Sequence, residues 1–365
     1  MKVEVVSFTG DSGLADYSVS LARALARLVK AQVVSAQSLP VRFDEMGFAV
    51  ERVFRRSRHY PLDIFRFFFG VLRRRPDWVL IQGPLKFPVI DALVVRVLKL
   101  FGIGCAVTVH DVLPHYPRPW SRAEFGFYYR SFSRVIAHST AAASGLRKLG
   151  VATEVLVVPH GIYDIFDLTG INREAARKAI GGIEPDDTVV LFFGHLEPRK
   201  GLMEFLDAAK TMLLSDPNVK FLVAGGGSLD SHGTAYAQRL EEARAMPNVI
   251  VHDRRIPFEA VENYFAASDI IALPYREGTT SGVLKLALAF GKPVVASRVG
   301  DFPEQIPAGA GVLFEADKAL ARHLEVAIRE IAGNFSGYSA AMQAAGGDAQ
   351  WPDIANRVVN YLKVH

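Results

Sequence analysis

An α/β protein with two doubly wound parallel-sheet domains is what this chain predicts, and three observations carry that reading. It has 365 residues and is 50% hydrophobic, too long for one core and well sized for two. Short β-branched runs alternate with helical patterns, and the alternation restarts after a polar stretch, Tyr163 to Asp187. Gly-rich or Ser/Thr-rich turns follow the strand-like runs, where open α/β sheets collect their ligands.

In the first half, Val3–Phe8, Trp78–Gln82, Cys105–Val109, Arg134–Ala137 and Val155–Val158 read as buried parallel strands. Ser18–Lys30, Val89–Phe101 and Thr140–Leu149 read as helices between them. In the second half the strands are Val189–Phe193, Phe221–Ala224, Val249–His252, Ile270–Leu273 and Val294–Ala296. The expected domains are therefore 1–162 and 163–350, facing each other across a cleft, followed by a C-terminal segment, 351–365. No repeat shorter than a domain and no low-complexity tract is present.

Bulk composition excludes several classes. No run of about 18 apolar residues exists to span a bilayer, and Glu4, Asp11 and Asp16 interrupt any export signal, so a cytoplasmic location is expected. The single cysteine, Cys105, sits in an apolar run and reads as a buried thiol; neither disulfide nor cysteine-based metal site is expected. Charge is uneven: residues 1–160 carry 22 Lys+Arg against 12 Asp+Glu, a net of +10, and the remainder carries a net of −6. The basic half is expected to meet an anionic surface or ligand. Arg52–Arg58 and Phe65–Arg75 mix cations with large apolar side chains, which suits either anionic lipid headgroups or a core helix with a solvated basic face. No nucleic-acid-binding motif accompanies the charge.

Tyr275-Arg-Glu-Gly-Thr-Thr-Ser-Gly-Val-Leu-Lys285 leads from a strand end through a Gly/Thr/Ser turn into a helix, and Gly291-Lys-Pro293 stops it. Thr279, Thr280 and Ser281 are N-cap types, and Gly282 and Val283 open the helix, presenting free amides and a positive dipole end to an anion. Glu277, just before this seat, suits hydroxyl groups carried on a phosphate. Gly194-His-Leu-Glu-Pro-Arg-Lys-Gly201 likewise joins a strand to a helix, with Lys200 placed to neutralise phosphate charge. Gly225-Gly-Gly227 ends another strand, either as a ligand approach at Gly226 or as a plain tight turn. His110 and Asp111 end a strand of the first half; Gly10-Asp-Ser-Gly13 follows its first strand. The glycine spacing is not a dinucleotide fingerprint, and no acid ends the second strand around Val34-Ser35, which argues against NAD.

The ordered set of these segments, with Val158-Pro-His-Gly161 and Ala267-Ser-Asp-Ile-Ile-Ala-Leu-Pro-Tyr275, resembles the retaining family 4 glycosyltransferases of GT-B fold over nearly the whole chain. The resemblance implies metal-independent hexosyl transfer from a UDP- or GDP-linked donor to a glycan or lipid-linked hydroxyl, with no cofactor beyond the donor substrate. It assigns sugar contacts to His110 and Glu277, and the donor diphosphate to Lys200, His195, Arg199, Gly13 and the Thr280–Val283 turn. Ile256 would wall the base pocket, and Ser12, Asp16 and Asp111 would lie on the acceptor side. His115 and His160 are weaker candidates, His160 as a hinge. The last helix would cross back onto the first domain, and a basic first domain would make peripheral contact with the inner face of an anionic membrane. Two positions depart from the family: His195 stands where arginine is usual, and Lys285 replaces the second acid of the Glu-seven-Glu pattern. Lysine cannot accept a hydrogen bond from a ribose, so either the ribose is gripped otherwise, or Lys285 binds the donor through extra negative charge, or the site is impaired. A member that binds nucleotide or glycan without transfer is therefore the alternative.

Overall fold

In the computed structural model the described residues are 1–55, 57–114, 117–227, 234–278, 281–345 and 351–364. They form two compact units, Met1–Gly161 with Ala349–His365, and Ile162–Asp348.

The first unit runs β1 (Lys2–Val6), α1 (Gly13–Leu25), β2 (Lys30–Ala36), β3 (Ala49–Phe54), α2 (Tyr60–Arg74), β4 (Trp78–Gln82), α3 (Pro88–Leu100), β5 (Gly104–Val109), α4 (Ser121–Tyr129), β6 (Arg134–Ala137), α5 (Thr140–Lys148) and β7 (Val155–Val157). Its sheet is parallel throughout, in the order β3-β2-β1-β4-β5-β6-β7. The order reverses between β1 and β4, so the ends of these strands flank a crevice. Both sheet faces are covered, which is why Val3, Val5, Val79, Val107 and Val135 are all fully buried.

Two differences from the sequence reading have physical causes. Helix α1 begins at Gly13, not Ser18, because extended Ser12 takes the N-cap position and its carbonyl accepts from Ala15 and Asp16. It ends before Lys30, which pairs with Lys2 as the first residue of β2. The basic stretch from Arg52 begins inside β3, and among its described residues only the end, Ser57 and Arg58, is exposed. Val53 and Phe54 are buried, Arg52 grips Asp44 at 2.7 Å, and Arg55 donates to Asp63 at 2.9 Å.

The second unit runs α6 (Arg173–Ile180), β8 (Thr188–Phe193), α7 (Leu202–Ser215), β9 (Val219–Gly225), α8 (Thr234–Arg244), β10 (Val249–Asp253), α9 (Val261–Ala267), β11 (Ile270–Leu273), α10 (Gly282–Ala289), β12 (Val294–Ser297), α11 (Phe302–Gln305), β13 (Gly311–Phe314), α12 (Leu320–Gly333) and α13 (Phe335–Ala345). Its parallel sheet has the order β10-β9-β8-β11-β12-β13, with the reversal between β8 and β11. The polar stretch before β8 is not featureless: Asn172 caps α6 by accepting from Ala175 at 2.9 Å. Arg177 of that helix is buried, donating to the carbonyls of Glu184 and Asp187, each at 2.9 Å, and to Asp269 at 2.7 Å. Asp269 also accepts from Val189 at 2.8 Å, so one carboxylate ties α6 to β8.

The last helix, α14 (Trp351–Lys363), belongs to the first unit. Trp351, Ile354, Ala355, Val358, Val359 and Leu362 face inward at helical spacing, and the Trp351 ring lies 5.1 Å from that of Tyr17 on α1.

Removing one partner of the Arg177–Asp269 pair leaves the other charge buried. Asp269→Ala is expected to destabilise the chain by about 3–5 kcal/mol, measured by urea unfolding; a loss below about 1 kcal/mol would show that the pair is replaceable.

Candidate functional site

In the second unit, the loop after β8 is locked by backbone contacts only glycine permits. Gly201 has φ +74°, and a Cβ on it would stand 1.9 Å from the carbonyl oxygen of Pro274, just past β11. Gly225, at φ +154°, would place a Cβ 1.7 Å from the Gly194 carbonyl oxygen. Gly226 and Gly227 lie against the Arg255 amide and the Leu196 carbonyl, so the triple-glycine turn serves contact between neighbouring loops. Arg276 donates its amide to the Arg199 carbonyl at 2.8 Å, fixing the β8 and β11 loops together.

This arrangement positions Lys200 at the end of a single 3₁₀ turn, Pro198–Lys200. The Lys200 ammonium lies 5.7 Å from the centre of the Tyr275 ring. A Cβ on Gly194 would be 3.4 Å from Lys200 Nζ and 3.5 Å from Val283, so lysine and the first turn of α10 flank one point. Among the described residues no carboxylate lies within ion-pair distance of Lys200. The other basic side chains of the loop are engaged: Arg199 is bound to Glu197, and His195 lies 3.5 Å from the same carboxylate.

Ser281 occupies the N-cap position of α10, but its side chain makes no capping bond; its Oγ meets the Tyr275 hydroxyl at 3.1 Å instead. The first amides of α10 thus have no side-chain cap from Ser281. Thr279 and Thr280 lie outside the described residues. Gly282 is explained in part by Tyr163, whose ring would stand 3.2 Å from a Cβ there. Glu277 is exposed on the loop before α10, and Ile256 is half-buried after β10.

Lys285 is buried at 2% exposure. Its ammonium donates to Gln305, which in turn donates to Asp301 at 2.9 Å. Burial pushes its pKa down to about 8, opposed by the Asp301 charge. The lysine that replaces the expected acid therefore bonds to a neutral amide inside this unit.

In the first unit, His110 follows β5, His138 follows β6, and His160 precedes Gly161. Their rings lie 4.9–6.0 Å apart. Tyr17 of α1 stands among them, 4.7, 5.2 and 4.8 Å from His110, His138 and His160. Edge-to-face contacts of this kind favour the packed arrangement by roughly 0.5–1.5 kcal/mol each. His110 Nε2 meets Gln82 Oε1 of β4 at 3.3 Å; Nδ1 of His138 and His160 face the carbonyls of Val158 at 3.3 Å and Gly161 at 2.8 Å. One nitrogen of each imidazole lies within 4.8 Å of the others, the single group of metal-ligand types among the described residues. Although a rim of His110 reaches solvent, its crowded setting pushes the imidazole pKa down to about 3, through burial, so the ring is neutral. Gly83, which follows Gln82, accepts from the Tyr128 hydroxyl at 2.9 Å.

Ser12 shares a short hydroxyl contact, 2.5 Å, with Thr9. Gly13 begins α1, Asp16 is half-buried on its first turn, and the Asp111 carbonyl accepts from Tyr129 at 2.8 Å. His115 lies outside the described residues. Sequence reasoning passed over Gln82, Tyr17 and His138; His138 ends β6 as His110 ends β5, and that shared strand-end place was the available signal.

Two doubly wound units, each with polar groups at the reversal of its sheet, define a GT-B protein, and the chain belongs to the family 4 glycosyltransferases. Residues 12–161 match the family described as "Glycosyl transferase 4-like domain", and residues 187–330 match "Glycosyl transferases group 1". The chain is similar to D-inositol 3-phosphate glycosyltransferase of Segniliparus rotundus, 32% identical over 176 residues, 47% of this chain and 38% of that protein. The same enzyme of Geodermatophilus obscurus is 33% identical over 186 residues, 48% of this chain and 41% of that protein. The matches thus span less than half the length of these relatives. Among solved structures, HepE of Anabaena in complex with UDP and glucose has a TM-score of 0.79 at 17% identity, covering 100% of both chains. Sucrose-phosphate synthase of Thermosynechococcus elongatus has a TM-score of 0.76 at 17% identity, covering 99% and 98%. At this identity the likeness establishes the fold.

The depressed His110 pKa has a signed consequence. Unfolded, the ring protonates near pH 6.5; folded, only near 3, so the unfolded chain binds more protons between these values and acid weakens the fold. Stability is expected to fall as pH drops through that window by up to about 1.4 kcal/mol per unit from this group. His110→Asn should lose less on acidification than the parent chain; equal losses in chemical denaturation at each pH would refute the assignment.

Proposed function

We propose that the chain transfers a hexosyl unit from a nucleoside-diphosphate sugar to a hydroxyl of a glycan or lipid-linked acceptor, with retention of configuration. The observation that carries this reading is Lys200: an ammonium with no carboxylate partner among the described residues, beside the start of α10, at the reversal of the second sheet. A cation next to a helix start that its N-cap side chain leaves uncapped suits a diphosphate, whose charge grows as the glycosyl bond breaks. These groups would stabilise the leaving diphosphate without a metal ion or other cofactor. The acceptor hydroxyl would attack on the face from which the diphosphate departs, and a diphosphate oxygen would take its proton. Glu277 would hold sugar hydroxyls; His110, neutral, would donate to or accept from the sugar without attracting the diphosphate.

HepE was crystallised with UDP and with UDP-glucose, which favours a uridine donor here. Among the described residues no helix is long and apolar enough to cross a membrane. We place the acceptor at the inner face of an anionic membrane, reached from the cytoplasm by peripheral contact.

A second reading, binding of nucleotide or glycan without transfer, draws on Lys285, which leaves no carboxylate at that position to accept from a ribose. Slow hydrolysis of a UDP-sugar by the purified chain would argue against it.

Lys200→Ala is expected to lower transfer at least tenfold, the scale of about 1.4 kcal/mol of lost transition-state stabilisation. Unchanged turnover in a folded variant would remove the phosphate role. Glu277→Gln should reduce kcat while leaving UDP affinity within about twofold. An equal loss of both, by steady-state kinetics and calorimetry, would make Glu277 a binding residue only.

A further inference from the structure

Helices α2 and α3 each have a buried face that is accounted for and an outward face that is not. On α2, Tyr60, Asp63, Ile64, Phe67 and Val71 pack inward. Leu62, Phe65 and Phe69, on the opposite side, are 61–63% exposed. On α3, Asp91, Ala92, Val95 and Leu98 pack inward, whereas Ile90, Leu93 and Leu100 are 43%, 51% and 85% exposed. A surface helix of a globular protein ordinarily turns polar side chains outward. Tyr60 and Phe87 (5.1 Å), and Phe68 and Phe101 (6.3 Å), join the two helices, so their outward faces form one surface. Apolar surface of this extent marks a contact with something apolar.

The charges on this surface have one sign. The only carboxylates of the two helices, Asp63 and Asp91, are buried: Asp63 accepts from Arg55, and Asp91 from the Tyr60 hydroxyl and the Lys86 amide. Arg66, Arg73 and Lys86 are exposed at the border of the apolar face, and only Arg66 has an acidic neighbour, Asp63 at 3.4 Å. Apolar side chains bordered by cations, with no exposed carboxylate on either helix, match the boundary between acyl chains and anionic headgroups. A second copy fits poorly, because a two-fold contact would set the same cations against each other.

We propose that the outward faces of α2 and α3 seat on an anionic phospholipid bilayer, with Phe65, Phe69 and Leu93 entering the acyl boundary and Arg66 and Arg73 meeting phosphates. This deepens the proposed function by naming how a membrane-held acceptor would be approached; the docking itself does not require sugar transfer.

The test is co-sedimentation of the full chain with vesicles of phosphatidylcholine alone or mixed with phosphatidylglycerol. The parent chain should bind the mixed vesicles at least tenfold more tightly at low salt, losing that preference at high salt. Phe65→Asp with Leu93→Asp should abolish binding, while UDP affinity without vesicles stays as in the parent. Arg66→Gln with Arg73→Gln should reduce the preference for anionic vesicles at least tenfold. No binding by the parent at low salt, or unchanged binding by the aspartate variant, overturns the proposal. Self-association of the parent that the aspartate variant loses, without vesicle binding, also overturns it and makes the face a contact between copies. Vesicle binding by a chain that shows no nucleotide affinity would leave the docking intact and sink the functional reading instead.

Discussion

The contact of Gly201 with the Pro274 carbonyl is the constraint on which the proposed donor site depends. It brings the loop after β8 against the loop after β11, on either side of the point where the strand order reverses. Any side chain at this position would overlap a carbonyl oxygen, so the two loops could not close together. Their contact delivers Lys200 to the face of Tyr275, whose hydroxyl engages Ser281 at the head of α10. A backbone contact without chemistry of its own thus sets the distance between a cation and a helix terminus.

The first unit gathers aromatic rings instead. His110, His138, His160 and Tyr17 pack as an aromatic cluster at the ends of β5 and β6 and on α1, and His110 is held neutral. The contrast between the two units is chemical: an ammonium and helix amides in one, packed imidazole and phenol rings in the other. A diphosphate suits the former, and hydroxyl-bearing groups suit the latter.

Much of the fold was legible because parallel strands covered on both faces are written as short unbroken apolar runs, as in Val189–Phe193 and Ile270–Leu273. Strand β3 escaped notice because, at the edge of its sheet, its face toward Asp44 carries Arg52, a charge that reads as surface. Helix α6 was hidden by its polarity; its stability comes from the buried Arg177, whose partners lie as far away as Asp269. At the sites, the strand–turn–helix patterns beside glycines were legible, and Lys200 lies in one of them. The partners of side chains were not. Nothing in the sequence says that Arg199 turns to Glu197, that Lys285 is buried against Gln305, or that His138 and Tyr17 join His110. Those facts depend on which loops tertiary contacts bring together.

A crystal structure of the full chain with UDP would show where a diphosphate rests. The β-phosphate is expected within hydrogen-bond reach of the first amides of α10 and of Lys200 Nζ. A nucleotide bound elsewhere, with Lys200 still against Tyr275 and the α10 terminus solvated, would contradict that placement.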